Sequence, residues 1–414
     1  MSSMIPSFLS TVFTLSGAPT HEDGRGITSA KQTPGSPRHT PITTKDTARG
    51  VVNDGGIMNY AFSGMQGWRM TMEDAHMACT DIPVNGKSEL KGHAIFGVMD
   101  GHGGDFTSTY AAKHFMTTFS AQTTLKKYHD MKDAKRNDVP GVELLKSALA
   151  ETFASLDADI RKNQNKRNDT LFAMKEKAPQ GADAKNIAFE RSGSTCIVVL
   201  ITPSHIICAN AGDSRAILRR KGRSLPLSFD HKPANIPELM RVEKAGGYVK
   251  SKRVDGDLAV SRGLGDFTYK SNESVPVEEQ KVVPDPEIVC YPRNRKTDEF
   301  VVLACDGVWD VLSNQECSAM VQDLLDEGET DLGLICEEAM DMCLQRNSRD
   351  NMTISVVGLE AMKISNSYIG HSAVLMRRTA RQAKYLEAQA RIAATRAAVG
   401  VGLVSDKPVA IGAA

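Results

Sequence analysis

The chain has 414 residues, 41% hydrophobic and 24% charged, enough to bury a large core and leave length for tails. Lys plus Arg equals Asp plus Glu at 50 each, so no global field recruits nucleic acid or an anionic membrane, and a polyanion has to be gripped locally. No apolar run approaches the roughly 20 residues that span a bilayer. The 8 cysteines sit mostly inside apolar runs without a C-x-x-C pair and read as buried thiols of a reducing compartment, the cytoplasm or nucleus.

Residues 1–56 are expected to form a largely flexible leader. It starts with an apolar segment, "MIPSFLSTVFTLSGA", that lacks the positive flank of a signal peptide and is expected to dock on the body of the protein. From about Gly17 to Gly56 the leader is rich in Pro, Gly, Ser, Thr and charge, with few apolar anchors to offset the entropy of ordering.

Globular texture follows over 57–362. Runs of strand length recur: "HAIFGVMD", "TCIVVLIT", "HIICANAGD", "RAILRR", "EFVVLACD" and "MTISVVGL", with "TPSH" as a hairpin connection. Helical periodicity intervenes, placing Leu145, Leu149, Phe153, Leu156 and Ile160 on one face of a helix that starts near Pro140. A second helix opens on the capping-box pair Ser313 and Glu316, and a third begins near Pro237 and stops at Gly246. Strands joined by short turns, with amphipathic helices between groups, give an α+β protein whose helices cover antiparallel sheets. The tail, 363–414, is expected to carry a basic, Ala-rich helix with Arg377, Arg381, Lys384 and Arg391.

Four aspartates mark strand ends. "FGVMD" ends at Asp100, "ICANAGD" at Asp213 and "VVLACD" at Asp306, while Asp350 precedes "NMTISVV". Gathered at one sheet edge, they would repel one another and demand cations. Oxygen donors without thiolate or multiple imidazoles suit Mg²⁺ or Mn²⁺ rather than zinc. Upstream, "GWRMTMEDAH" adds Arg69, a planar fork for two phosphate oxygens, and Glu73, a further hard ligand. Cations, a fixed guanidinium and His102 beside Asp100 are what hydrolysis of a phosphate ester requires. No phosphate-binding G-x-x-x-x-G-K-[ST] loop is present, which argues against a nucleotide-binding protein, and hydroxide made from metal-bound water needs no cysteine nucleophile.

The motifs "RMTMEDAH", "VMDGHGG", "RSGSTC", "ANAGDSRAIL", "DHKP", "AGGYV", "DLAVSRGLGD", "VVPDPEI", "LACDGVWDVLS" and "SRDNMTISVV", in this order, resemble the protein phosphatase 2C family of metal-dependent serine/threonine phosphatases. The resemblance implies two antiparallel β-sheets in a central sandwich flanked by α-helices. It implies two Mg²⁺ or Mn²⁺ ions, bridged by Asp100, with Glu73 and the Gly101 carbonyl at one and Asp306 and Asp350 at the other. A weaker third ion is implied at Asp213 and Asp310 with Asp306. Arg69 matches the phosphate-gripping arginine and His102 the general acid, with a metal-bridging hydroxide attacking phosphoprotein substrates directly. The family domain is expected to be a monomer. The alternative is a catalytically silent relative kept as a binding or scaffold module.

Overall fold

A computed structural model of the chain describes residues 40–53, 57–84, 86, 88–177 and 189–364, with 376, 379, 380 and 383 beyond them. The N-terminal apolar segment and the basic C-terminal helix with its four named cations lie outside the described residues.

The described chain begins with β1 (Ile42–Asn53), β2 (Ile57–Gly67), β3 (Ala75–Val84), β4 (Ser88–Met99) and the short β5 (Gly101–His102). Helices α1 (Phe106–Ser120), α2 (Thr123–His129), α3 (Asp133–Arg136) and α4 (Val139–Lys177) follow. Next come β6 (Gly193–Ser194), β7 (Cys196–Ile201), β8 (His205–Ala211), β9 (Arg215–Arg220), β10 (Arg223–Pro226), α5 (Ile236–Lys244), β11 (Val249–Lys250), β12 (Arg253–Val254) and β13 (Leu264–Gly265). The last group is β14 (Glu287–Pro292), β15 (Asp298–Ala304), α6 (Asp306–Trp309), α7 (Asn314–Asp326), α8 (Leu332–Gln345) and β16 (Met352–Gly358).

Two large sheets carry the architecture, a 6-stranded one in the order β1-β2-β16-β15-β9-β10 and a 5-stranded one in the order β14-β8-β7-β4-β3, with antiparallel neighbours throughout. Strand β4 shows why they stack. Its side chains alternate between faces, so Phe96 and Val98 join Phe62, Val301 and Leu303 of the other sheet in the inter-sheet core. Ile95 and Met99 point the other way, onto Phe115 and Phe119 of α1 and Leu149 and Phe153 of α4. On the far side of the sandwich, α8 packs on β2 and β16. Burial on both faces explains the continuous apolar run of β4.

The expected helical face holds: Leu145, Leu149, Phe153, Leu156 and Ile160 are all buried, in a helix that runs well past residue 160. At α7 the Ser313 N–H donates to Glu316 Oε2 at 2.9 Å and the Glu316 N–H to Ser313 Oγ at 3.3 Å, a closed capping box.

The leader boundary requires correction, because residues 42–53 are not a flexible leader but strand β1, paired with β2 from Ile42↔Gly67 to Asn53↔Ile57. Backbone pairing needs no apolar side chain, and the polar residues of β1 have partners of their own. Thr47 Oγ1 donates to Glu337 Oε1 at 2.8 Å, Lys45 pairs with Asp341 at 2.7 Å, and Arg49 pairs with Asp331 at 2.7 Å. Composition misread this segment because its anchors are ion pairs.

Two compact units are distinguishable: Met1–Asp323 with Asp331–Lys363, and Leu324–Thr330 with Ile364–Ala414. Every described strand belongs to the first. In the second, the chain leaves the last turn of α7 through Gly328, at φ +91°, whose N–H donates to Leu325 O at 3.0 Å. No helix among the described residues is long and apolar enough to cross a membrane.

Candidate active site

The sandwich strands that carry the predicted acids stop at one end. Register sets Val98 of β4 beside Ile197, Cys196 of β7 beside Ala211, and Ala304 of β15 beside both Arg215 and Ile354. Asp100, Asp213 and Asp306 each follow such a strand, and Asp350 lies just ahead of β16. The connection from β2 to β3, which passes from one sheet to the other, brings Arg69 and Glu73 to the same end, and the Glu73 N–H donates to Asn351 Oδ1 at 3.0 Å.

A cavity of about 670 Å³ opens there, lined by Arg69, Asp100, Gly101, His102, Asp213, Asp306, Asp310 and Asp350. Oxygens of Asp100, Asp213 and Asp306 lie within 4.8 Å of one another, and Asp74, Asp100 and Cys305 bring ligand atoms equally close. Burial first, then the charges of Asp74, Asp306, Asp213 and Asp350, push Asp100 well above the usual carboxylate range. Burial with Asp213, Asp350 and Asp310 raises Asp306 to about 8. Asp310 is also raised, chiefly by burial.

These residues fit a hard divalent cation. The donors are oxygens, they destabilise one another as anions, and Asp74 Oδ1 is buried without a hydrogen-bond partner among the described residues. Burial raises Asp74 to about 6, although its Oδ2 accepts from Thr353 Oγ1 at 2.7 Å. Gly101 has no room for a side chain: a Cβ there would come within 2.3 Å of the Glu73 carbonyl, so only glycine lets the two segments meet.

Not every expected ligand points into the cluster. The Glu73 carboxylate accepts from Thr71 Oγ1 at 2.7 Å and from the Gly104 N–H at 3.2 Å, and Glu73 does not line the cavity. Asp350 accepts from Arg69 Nη2 on one oxygen and from the Asn351 N–H at 2.8 Å on the other. Burial would lower the Arg69 pKa, but Asp350, Asp306 and Asp100 outweigh it and hold the guanidinium more firmly charged. For His102 burial also acts downward. The carboxylate of Asp266, with Asp213 and Glu73 behind it, reverses that and raises the imidazole above its ordinary value.

Sequence reasoning assigns no role to Asp74, Lys232, Asp266 or Cys305, although each lies inside a quoted motif. Lys232 donates to Asp213 and lines the cavity, and Asp266 meets His102. All eight cysteines are free thiols, buried except for the half-buried Cys290, and burial pushes Cys305 well above the ordinary thiol value.

The protein phosphatase 2C profile matches residues 58–352. The chain belongs to the protein phosphatase 2C family. It is 38% identical over 333 residues to protein phosphatase 1B of Rattus norvegicus, covering 80% of this chain and 77% of that one. It is 37% identical over 317 residues to protein phosphatase 1A of Homo sapiens, covering 77% and 74%. Among solved structures, a phosphatase from a pathogenic strain of Toxoplasma gondii aligns with TM-score 0.57 at 25% identity over 77% of this chain and 97% of that one. The serine-threonine phosphatase 2C of Toxoplasma gondii aligns with TM-score 0.60 at 19% identity over 76% and 99%, a likeness of fold. This phosphatase is a metal-dependent serine/threonine enzyme acting on phosphoproteins, and the reading as a silent scaffold is not favoured.

Proposed function

We propose that this phosphatase cleaves phosphoserine and phosphothreonine at the strand-end cavity with two Mg²⁺ or Mn²⁺ ions, and with a weaker third at Asp213 and Asp310 beside Asp306. Asp100, the Gly101 carbonyl, Asp306 and Asp350 would hold the two ions, with Asp100 serving both. Glu73 joins them only when its carboxylate leaves Thr71 and Gly104. When bound, such cations acidify a water to serve as nucleophile and neutralise phosphate charge.

The chain's own residues do the rest. Arg69 turns its fork to the phosphate, holding two oxygens and the charge that spreads over them during displacement. His102 gives a proton to the departing seryl or threonyl oxygen, which is too basic to leave readily as an alkoxide. No thiol takes part, since burial keeps the nearest, Cys305, protonated. We take the protein to act as a monomer in the cytoplasm or nucleus, with the chain outside the catalytic domain dispensable for chemistry.

The observation that carries this reading is the convergence of Asp100, Asp213 and Asp306 within 4.8 Å in a cavity that also holds Arg69 and His102. Excess chelator should abolish hydrolysis of a phosphothreonine peptide, and Mn²⁺ or Mg²⁺ should restore it. Full activity in chelator would overturn the reading.

A further inference from the structure

The carboxylate of Asp266 has no place in the roles above, yet it is the group that holds His102. His102 Nε2 lies 2.9 Å from Asp266 Oδ1 and 2.8 Å from Oδ2. The Asp266 side chain is only 5% exposed, whereas that of His102 is 33% exposed on the cavity. No hydrogen bond to His102 Nδ1 occurs among the described residues.

The surroundings are built around this contact. Strands β5, β6 and β13 form a small sheet in which Gly193 pairs with both His102 and Gly265. A Cβ at Gly193 would sit 2.1 Å from Asp266 Oδ2, so the absence of a side chain there makes the slot the carboxylate occupies. Asp266 itself adopts φ +53° and ψ 39°, a left-handed conformation that is unfavourable for most residues and that Asp and Asn tolerate best. Turn formation does not need the carboxylate, because the backbone of Asp266 already donates to Ser192 O at 3.4 Å and accepts from the Tyr269 N–H at 2.9 Å. The side chain is spent on the imidazole.

We propose that Asp266 is the positioning residue for His102, holding the ring by its Nε2–H so that Nδ1 faces the leaving oxygen. The proposal rests on the reading of His102 as general acid. As the P–O bond breaks, its electron pair stays on the seryl or threonyl oxygen and the proton of Nδ1 passes to that oxygen. The imidazole is left neutral with Nε2–H still on Asp266, and solvent returns the Nδ1 proton. Asp266 touches neither substrate nor leaving group; it removes the ring rotations that would aim the proton elsewhere.

The test compares Asp266→Asn, His102→Gln and the double variant in the Mn²⁺-loaded enzyme, on a phosphothreonine peptide and on p-nitrophenyl phosphate. Asparagine keeps the size and the left-handed tolerance but loses the charge. Asp266→Asn should lower kcat on the peptide by about tenfold or more with KM within about twofold, and should lower kcat on the nitrophenyl ester by less than about threefold. The double variant should be no slower than His102→Gln, because the two residues act as one unit. Mn²⁺ affinity measured by calorimetry should be unchanged. Asp266→Gly, which relaxes the backbone while deleting the carboxylate, should show the same split and covers the case in which asparagine misfolds. Equal losses on both esters, an altered Mn²⁺ affinity or multiplicative losses in the double variant would overturn the positioning role. If His102→Gln shows the leaving-group split and Asp266→Asn does not, the positioning role alone falls. If His102→Gln shows no split, the general-acid reading falls and takes the positioning role with it.

Discussion

Lys232 sets its ammonium on the carboxylate of Asp213, in the cavity that Asp306 and Asp310 also line. Burial would lower its pKa, but Asp213, Asp306 and Asp230 outweigh burial and hold it charged. It is a tethered cation among carboxylates that repel one another. Lys232→Met should therefore lower the melting temperature of chelated protein by about 2–4 °C, and Mn²⁺ should return more stability to the variant than to the parent. Thermal unfolding with and without Mn²⁺ measures both. An equal Mn²⁺ gain in the two proteins would mean that Lys232 does not compete with bound cations.

Asp100 and Asp306 share one close group of carboxylate oxygens with Asp213. Replacing either by asparagine should cost at least about two orders of magnitude in turnover, since a lost or misplaced cation removes several kcal/mol of transition-state stabilisation. The same substitutions relieve the carboxylate repulsion, so the chelated variants should be at least as stable as the chelated parent. Steady-state kinetics and thermal melts check the two halves. A folded variant with near-native turnover would remove that residue from the metal centre.

Arg69 is paired with Asp350 in the free protein and must share its fork with the phosphate. Arg69→Ala should raise KM and lower kcat/KM by about tenfold or more, because one guanidinium grips phosphate in ground and transition states alike. Lysine should rescue poorly, offering a point charge where a fork is needed. Similar kinetics for arginine, lysine and alanine would place Arg69 outside the reaction.

Away from the site, Glu238 ties its own helix α5 to the segment that carries Ser261 and Arg262. Its carboxylate accepts from Arg262 Nη2 at 2.6 Å, Arg241 Nη1 at 2.7 Å and Ser261 Oγ at 2.7 Å. Burial acts to raise its pKa, but these partners overcome burial and hold it at about 2, below the ordinary 4.5. A depressed carboxylate contributes its stability above the unfolded value and loses it as pH falls through the folded one. Glu238→Gln should thus destabilise by about 3 kcal/mol at pH 7, and the gap from the parent should narrow between about pH 4.5 and 2. Urea unfolding at pH 7 and pH 3 decides it, since a gap of the same size at both values would show that the charge is not what matters.

The strands were legible where both faces are buried, as in β4 and β7, because continuous β-branched runs have few other uses. Helix α1 was not read, since Thr107, Thr109, Thr117 and Thr118 lower its intrinsic propensity and the packing of Phe115 and Phe119 on the sheet supplies what propensity lacks. Strands β5, β6 and β13 are two residues each, too short for any periodic signal, and exist because loops distant in sequence meet. The acids at strand ends could be named because a carboxylate after an apolar run stands out. Asp266 could not, because its partner lies 164 residues away and its slot is made by a glycine in a third segment.

Strand β1 yields the last prediction. It is the edge strand of its sheet, and it covers the backbone edge of β2 along a ladder that reaches from Ile42 to Asn53. Val52 is buried in the inter-sheet core, and Lys45 and Arg49 bind acids of α8 and its N-cap. Removing residues 1–39 leaves all of this intact, and the shortened protein should keep native kcat/KM on p-nitrophenyl phosphate. Removing residues 1–53 strips the strand, exposes the β2 edge as a template for intermolecular pairing and leaves Asp331, Glu337 and Asp341 without their cations. That protein should melt at least about 5 °C lower and aggregate on concentration. Size-exclusion chromatography and thermal melts of the two truncations give the answer. Equal stability and solubility would show that β1 is an accessory strand, and would return the start of the folding unit to residue 57.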